Sequence, residues 1–118
     1  MNTPAKGPRT YCFDIDGTLC TNTDGEYASA KPFPQVIELV QRLHSEGNHI
    51  LLFTARGTMT GIDWTELTRN QMIEWGVPFH ELRLGKPQAD LYIDDRGIEI
   101  GEFLKQSGFA DPKGALRP

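Results

Sequence analysis

The chain reads as an α/β domain with a mostly parallel sheet, and three observations predict it. Short apolar runs, at 10–14 and at His49–Thr54, alternate with longer stretches of helical periodicity. Those helical stretches open on residues suited to a first turn and stop at glycine. Acidic and hydroxyl residues fall just after the strands, at the carboxyl edge where an open parallel sheet binds its ligands. At 118 residues a single domain is expected. About two-thirds of the unfolded surface can be buried at this size, enough for a core without disulfides or a structural metal.

Each element follows from its residues. Residues 1–9 carry two prolines and a glycine and read as a flexible N-terminal arm. Residues 10–14 (TYCFD) form a first buried strand. The polar segment 18–31 has Asp24-Gly25 at its middle, a dipeptide that favours a tight turn and hence a small flap hairpin. Pro34 suits a first helical position, Val36, Ile37, Val40 and Leu43 follow at helical spacing, and Gly47 ends the helix. His49–Thr54 is the second strand. Asp63 caps a helix running to about Trp75, stopped by Gly76 with Pro78 beyond. Residues 79–84 and 91–94 are the third and fourth strands, separated by Gly85-Lys86-Pro87, and a short helix lies near 98–104. The catalytic domain is expected over 10–108, with 109–118 a tail.

Composition excludes several functions. Twelve basic and 16 acidic residues give a net charge of −4 with no basic stripe. A protein that neutralises phosphates along a nucleic acid or an anionic membrane needs clustered Lys and Arg, so neither partner is expected. Cys12 and Cys20 lack metal-ligand spacing and read as free thiols of a reducing compartment. No apolar leader opens the chain, and no run approaches the ~18 apolar residues of a membrane span, so a soluble, cytoplasmic protein is expected.

The sharpest local signal is Asp14-Ile15-Asp16-Gly17-Thr18. A spacing of two returns side chains to one side of an extended chain, so both carboxylates address one ligand. Carboxylates that close repel unless a cation or proton lies between them. Gly17 permits a tight turn and close backbone approach to an anion. On average residue usage, such a D-x-D-G-T-[L/V] pattern arises by chance in about one chain in 10⁴ of this length. The plain alternative is an acidic turn after a strand.

Three weaker signals share the edge. Thr54 ends the second strand and can donate to a phosphate oxygen, or satisfy its own backbone. Lys86 can neutralise a bound phosphoryl group, or be a solvated loop charge. Asp94-Asp95 end the fourth strand; such oxygens suit Mg²⁺, and either residue also suits the cap of the last helix. Arg56 can contact phosphate or face solvent, and Ala55 offers a backbone N–H beside it. Trp64 and Trp75 share a helix face, and His44, His49 and His80 show no ligand spacing.

In order, Asp14-Ile15-Asp16-Gly17-Thr18, Thr54, Lys86 and Asp94-Asp95 resemble the motifs of the haloacid dehalogenase superfamily, from about Thr10 to Arg96. The resemblance implies a three-layer Rossmann-like core with strand order 4-1-2-3 and Mg²⁺-dependent phosphoryl transfer. It implies that Asp14 is the nucleophile that forms an aspartyl-phosphate and that Asp16 is the general acid and then the base. Thr54 and Lys86, with Ala55 and Arg56, would hold the phosphoryl group; Asp14, the main-chain carbonyl of Asp16, the Asp94 carboxylate and Asp95, directly or through water, would form the metal site. Halide-displacing members have no leaving oxygen to protonate, so Asp16 favours phosphate esters.

Caps set substrate choice in this superfamily, and segment 18–31 holds a flap but no folded cap. A capless phosphatase leaves an open site, suited to a large substrate or to a small one covered by a second copy. The nearest resemblance is to small phosphatases of sugar-phosphate and surface-polysaccharide pathways. Two other readings stand beside it: a nucleic-acid end phosphatase, and a phospho-acceptor signalling domain without turnover.

Overall fold

The computed structural model describes residues 7–109 and 112–117. Strands β1 (Thr10–Phe13), β2 (His49–Thr54) and β3 (Glu81–Leu84) form one parallel sheet in the order β1-β2-β3. Helix α1 (Pro34–Ser45) joins β1 to β2, and α2 (Thr65–Trp75) joins β2 to β3. Helices α3 (Ile100–Gln106) and α4 (Pro112–Ala115) follow.

The sequence accounts for these elements locally. Pro34 sits in the first turn of α1, whose Val36, Ile37, Leu39, Val40 and Leu43 are buried. The Asp63 carboxylate accepts the Thr65 N–H at the start of α2, and Gly76 ends that helix in the left-handed conformation. β2 alternates, burying Ile50, Leu52 and Thr54. Its partners in register, Tyr11 and Phe13, lie on the same face, where both rings pack on Phe103 of α3.

The α/β class, the parallel pairing and the 1-2-3 order agree with expectation, and two features differ. The expected fourth strand is not formed: 91–94 is irregular and solvent-exposed, with Ile93 at 90%. Local contacts explain this. The Tyr92 hydroxyl donates to the Pro87 carbonyl (2.5 Å) and accepts the Ala89 N–H (3.2 Å). Asp94 then accepts the N–H groups of Arg96 and Gly97, turning the chain before it can run along β1. The order 4-1-2-3 is thus reduced to 1-2-3, with one edge of β1 unpaired among the described residues. A third layer is also missing there. On the other sheet face Cys12 is exposed and Leu51 and Phe53 are only half-buried, and 85–99 holds no helix to cover them.

The flap after β1 is a closed loop rather than a laddered hairpin. Thr21 N–H donates to the Lys31 carbonyl, Phe33 N–H donates to the Leu19 carbonyl, and a single 3-10 turn, Tyr27–Ser29, lies between. No further unit separates β1 from α1 or β2 from β3, so no cap is present among the described residues. Most of the expected arm 1–9 lies outside the described residues. In the expected tail, Ala115 is buried and Phe109 and Leu116 pack on the core.

Candidate active site

Parallel pairing brings the ends of the strands to one edge. Asp14 follows β1, Thr54 ends β2, and Lys86 lies just beyond β3. Lys86 is tied there by its backbone: its N–H donates to the Thr54 carbonyl, and its carbonyl accepts the Thr58 hydroxyl. Its ammonium lies 3.6 Å from Asp14 Oδ1 and 4.3 Å above the Tyr92 ring. Burial pushes the Asp14 carboxyl above its ordinary value of 3.8; Lys86 and the Ile15 N–H pull it back, and Asp16 adds a smaller upward push. Asp14 is thus a partly desolvated carboxylate with one cation beside it.

Asp16 is held differently. Ile15 is fully buried, anchoring the turn between the two carboxylates. Gly17 adopts φ +85° and its N–H donates to the Cys20 carbonyl, while Thr18 and Leu19 N–H groups donate to Ile15. These N–H groups face protein carbonyls, so the expected anion cradle at Gly17-Thr18 is not formed. The turn instead aims Asp16 at Arg56. Arg56 Nε donates to Oδ2 and Nη2 to Oδ1, both at 2.9 Å, in a bidentate pair. Cys20 Sγ lies 3.6 Å from Oδ1, and burial pushes this thiol up to about 12, so it stays protonated.

Arg56, expected to contact phosphate, is turned into the protein in this structure. Arg56 is 2% exposed, and its guanidinium is consumed within the protein. Nη1 donates to Thr68 Oγ1 (3.0 Å) and Gln71 Oε1 (2.6 Å), and the group stacks 4.7 Å from the Tyr27 ring centroid. Thr54 is also buried, at 1%, and its Oγ1 accepts the Arg56 N–H; the hydroxyl proton is its remaining donor. The Ala55 carbonyl closes a turn with the Thr58 N–H. A pocket of ≈ 190 Å³ opens beside Gly57, Thr58, Leu84 and Gly85.

Asp94 and Asp95 do not complete a metal-holding cluster among the described residues. Asp94 caps its own turn, and Asp95 is 88% exposed, with Arg96 3.8 Å away. Among the described residues, no three His, Cys, Asp or Glu side chains are gathered closely enough to hold a metal ion. With no third such side chain gathered with Asp14 and Asp16, the donors as arranged do not fit the expected Mg²⁺.

No protein-family model matches the chain. A Bacillus cereus protein named "Putative nucleotidase" is 33% identical over 90 residues, which cover 76% of this chain and 43% of that protein. The chain thus spans less than half the length of that curated relative. A crystal structure of a Vibrio cholerae protein superposes with a TM-score of 0.74 at 29% identity, covering 80% of this chain and 86% of that one. The parallel α/β arrangement that carries Asp14 and Lys86 is therefore shared with a crystallised protein.

Sequence reasoning missed the residues around Arg56. Thr68 and Gln71 are spaced i, i+3 beside the core residue Met72, a polar pair on the buried face of α2. That placement signals a buried polar partner, because such groups are costly unless hydrogen-bonded. Gln71 also donates to the Tyr27 carbonyl (2.6 Å), fixing the flap, and Tyr27 packs edge-on against Trp64. Gly57 is required on the same loop: at φ +84°, a Cβ would lie 2.2 Å from the Ile62 carbonyl oxygen.

Proposed function

We propose that the chain is a phosphomonoester hydrolase of the haloacid dehalogenase type, with Asp14 as nucleophile and Asp16 as general acid and base. The observation that carries this reading is the asymmetry of the two carboxylates. Asp14 faces a single ammonium and is partly exposed, whereas Asp16 is locked by a buried guanidinium. One is left open towards a phosphoryl group, and the other is held in a single orientation. The name of the Bacillus cereus relative supports phosphatase-type hydrolysis.

An Asp14 oxygen attacks phosphorus as the bond to the leaving oxygen breaks. Protonated Asp16 gives its proton to that oxygen and becomes a carboxylate. Water then attacks the aspartyl-phosphate, Asp16 takes the proton from water, and the Asp14–phosphorus bond breaks to release phosphate. Lys86 supplies the positive charge that lets two anions approach.

The substrate proposed is a small phosphorylated sugar or related metabolite, bound in an open site. A nucleoside monophosphate is the second reading, favoured by the name of the relative. Turnover of p-nitrophenyl phosphate by the wild type and by Asp14→Asn tests the chemistry. The asparagine is isosteric, so a folded variant with no turnover is expected; substantial retained activity rejects Asp14 as nucleophile. A panel of sugar phosphates and nucleoside monophosphates then separates the two substrate readings.

A further inference from the structure

We propose that the Tyr27 hydroxyl is a specificity-determining group for the alcohol half of the ester, hydrogen-bonding a hydroxyl of a polyol such as a sugar phosphate. The inference rests on the phosphatase reading above and deepens it, by choosing between its two substrate readings and naming the group that makes the choice.

Tyr27 opens the single 3-10 turn of the flap, and the flap is tied down at its base and at this turn. At the base, the Thr21 N–H donates to the Lys31 carbonyl, and the Lys31 N–H donates to the Thr21 hydroxyl. At the turn, the Tyr27 carbonyl accepts the side-chain amide of the buried Gln71 of α2. The ring is held as well. The Arg56 guanidinium lies over it at 4.7 Å, and Trp64 packs against it at 84° with centroids 5.0 Å apart. A side chain ordered by this many neighbours loses little further freedom when a ligand meets it.

What this arrangement leaves for a ligand is the hydroxyl. A nucleobase is held by stacking on an open aromatic face, whereas the Tyr27 ring is already engaged by Arg56 and Trp64. The hydroxyl has no hydrogen-bond partner among the described residues. Burial pushes it above its ordinary value of 10.0, Asp16 adds to that push and Arg56 opposes it. It therefore stays protonated at neutral pH and lies within electrostatic reach of Asp16. On the phosphatase reading the leaving oxygen meets Asp16, so the alcohol that carries it comes to the side where Tyr27 stands. A phenol both donates and accepts, which matches the hydroxyls that a sugar carries beside its phosphate.

Tyr27→Phe tests this, because it removes the hydroxyl and keeps the ring against Arg56 and Trp64. The probes are D-glucose 6-phosphate and D-ribose 5-phosphate, set against cyclohexylmethyl phosphate, a primary-alcohol ester with a ring and no hydroxyl. In kcat/KM the wild type should prefer at least one sugar phosphate to cyclohexylmethyl phosphate. In Tyr27→Phe that preference should fall about 5-fold, the effect of one neutral hydrogen bond. The change should enter through KM, since a contact remote from phosphorus is made alike in the ground and transition states. An unchanged preference overturns the inference, whether both esters are unaffected or lose equally. So does a wild type that favours adenosine 5′-monophosphate over both sugar phosphates. A Tyr27→Phe chain that does not fold also overturns it, because the hydroxyl would then be bonded within the protein. p-Nitrophenyl phosphate separates the two claims. A wild type inactive on it and on every other ester rejects the phosphatase reading and this inference together. A wild type that hydrolyses it without preferring a sugar phosphate rejects this inference alone.

Discussion

Asp14 and Asp16 are two residues apart and differ in every respect that matters to chemistry. Desolvation is the largest influence on Asp14, raising its carboxyl above 3.8, and Lys86 opposes it. As the proposed nucleophile, Asp14 must be ionised, so activity is expected to fall as pH drops through that raised value. Lys86→Met removes a cation that favours the carboxylate, which raises the Asp14 value further. The acid limb of kcat/KM should therefore move to higher pH in Lys86→Met, measured on one substrate so that ionisation of the ester cancels. An unmoved or lowered limb would separate Lys86 from Asp14. Some of this was legible in sequence: the D-x-D-G-T pattern and Lys86 after a Gly identified the carboxylates and their cation. The role of Arg56 was not legible, because burial and the partners Thr68 and Gln71 exist only once α2 packs.

At the scale of elements, boundaries followed local chemistry where that chemistry was strong. Pro34, Gly47, Asp63 and Gly76 mark the ends of α1 and α2, and the apolar alternation of β2 marks its face. Residues 91–94 share the apolar character of a strand but do not become one. Pairing there requires the chain to reach β1, and the Tyr92 contacts with Pro87 and Ala89 keep it in a local loop. Apolar composition reports a capacity for burial; it does not supply the partner. Amide hydrogen exchange reads the difference directly. Amides of β2, bonded between two strands, should be protected, and those of 91–95 should exchange near the rate of an unprotected chain. Protection across 91–95 comparable to β2 would show a fourth strand in solution.

At the scale of the whole described structure, what stands over the strand ends bears on function. The described residues hold one flap and no cap, so the edge with Asp14 and Lys86 lies open. The sheet face with Cys12, Leu51 and Phe53 is also uncovered, and Leu91, Tyr92 and Ile93 stand exposed near the end of the sheet. No helix among the described residues is long and apolar enough to cross a membrane. On the proposed reading, selectivity falls to the flap, which Arg56 and Gln71 hold through Tyr27. All of this depends on Asp14 being the residue that takes the phosphoryl group. Acid quenching during turnover, followed by peptide mass spectrometry, is the most direct measurement of that transfer. A phosphoryl adduct is expected on the peptide containing Asp14 and absent in Asp14→Asn; an adduct on another residue, or turnover with no adduct in a quench that captures the first cycle, would rule Asp14 out as the phosphoryl acceptor.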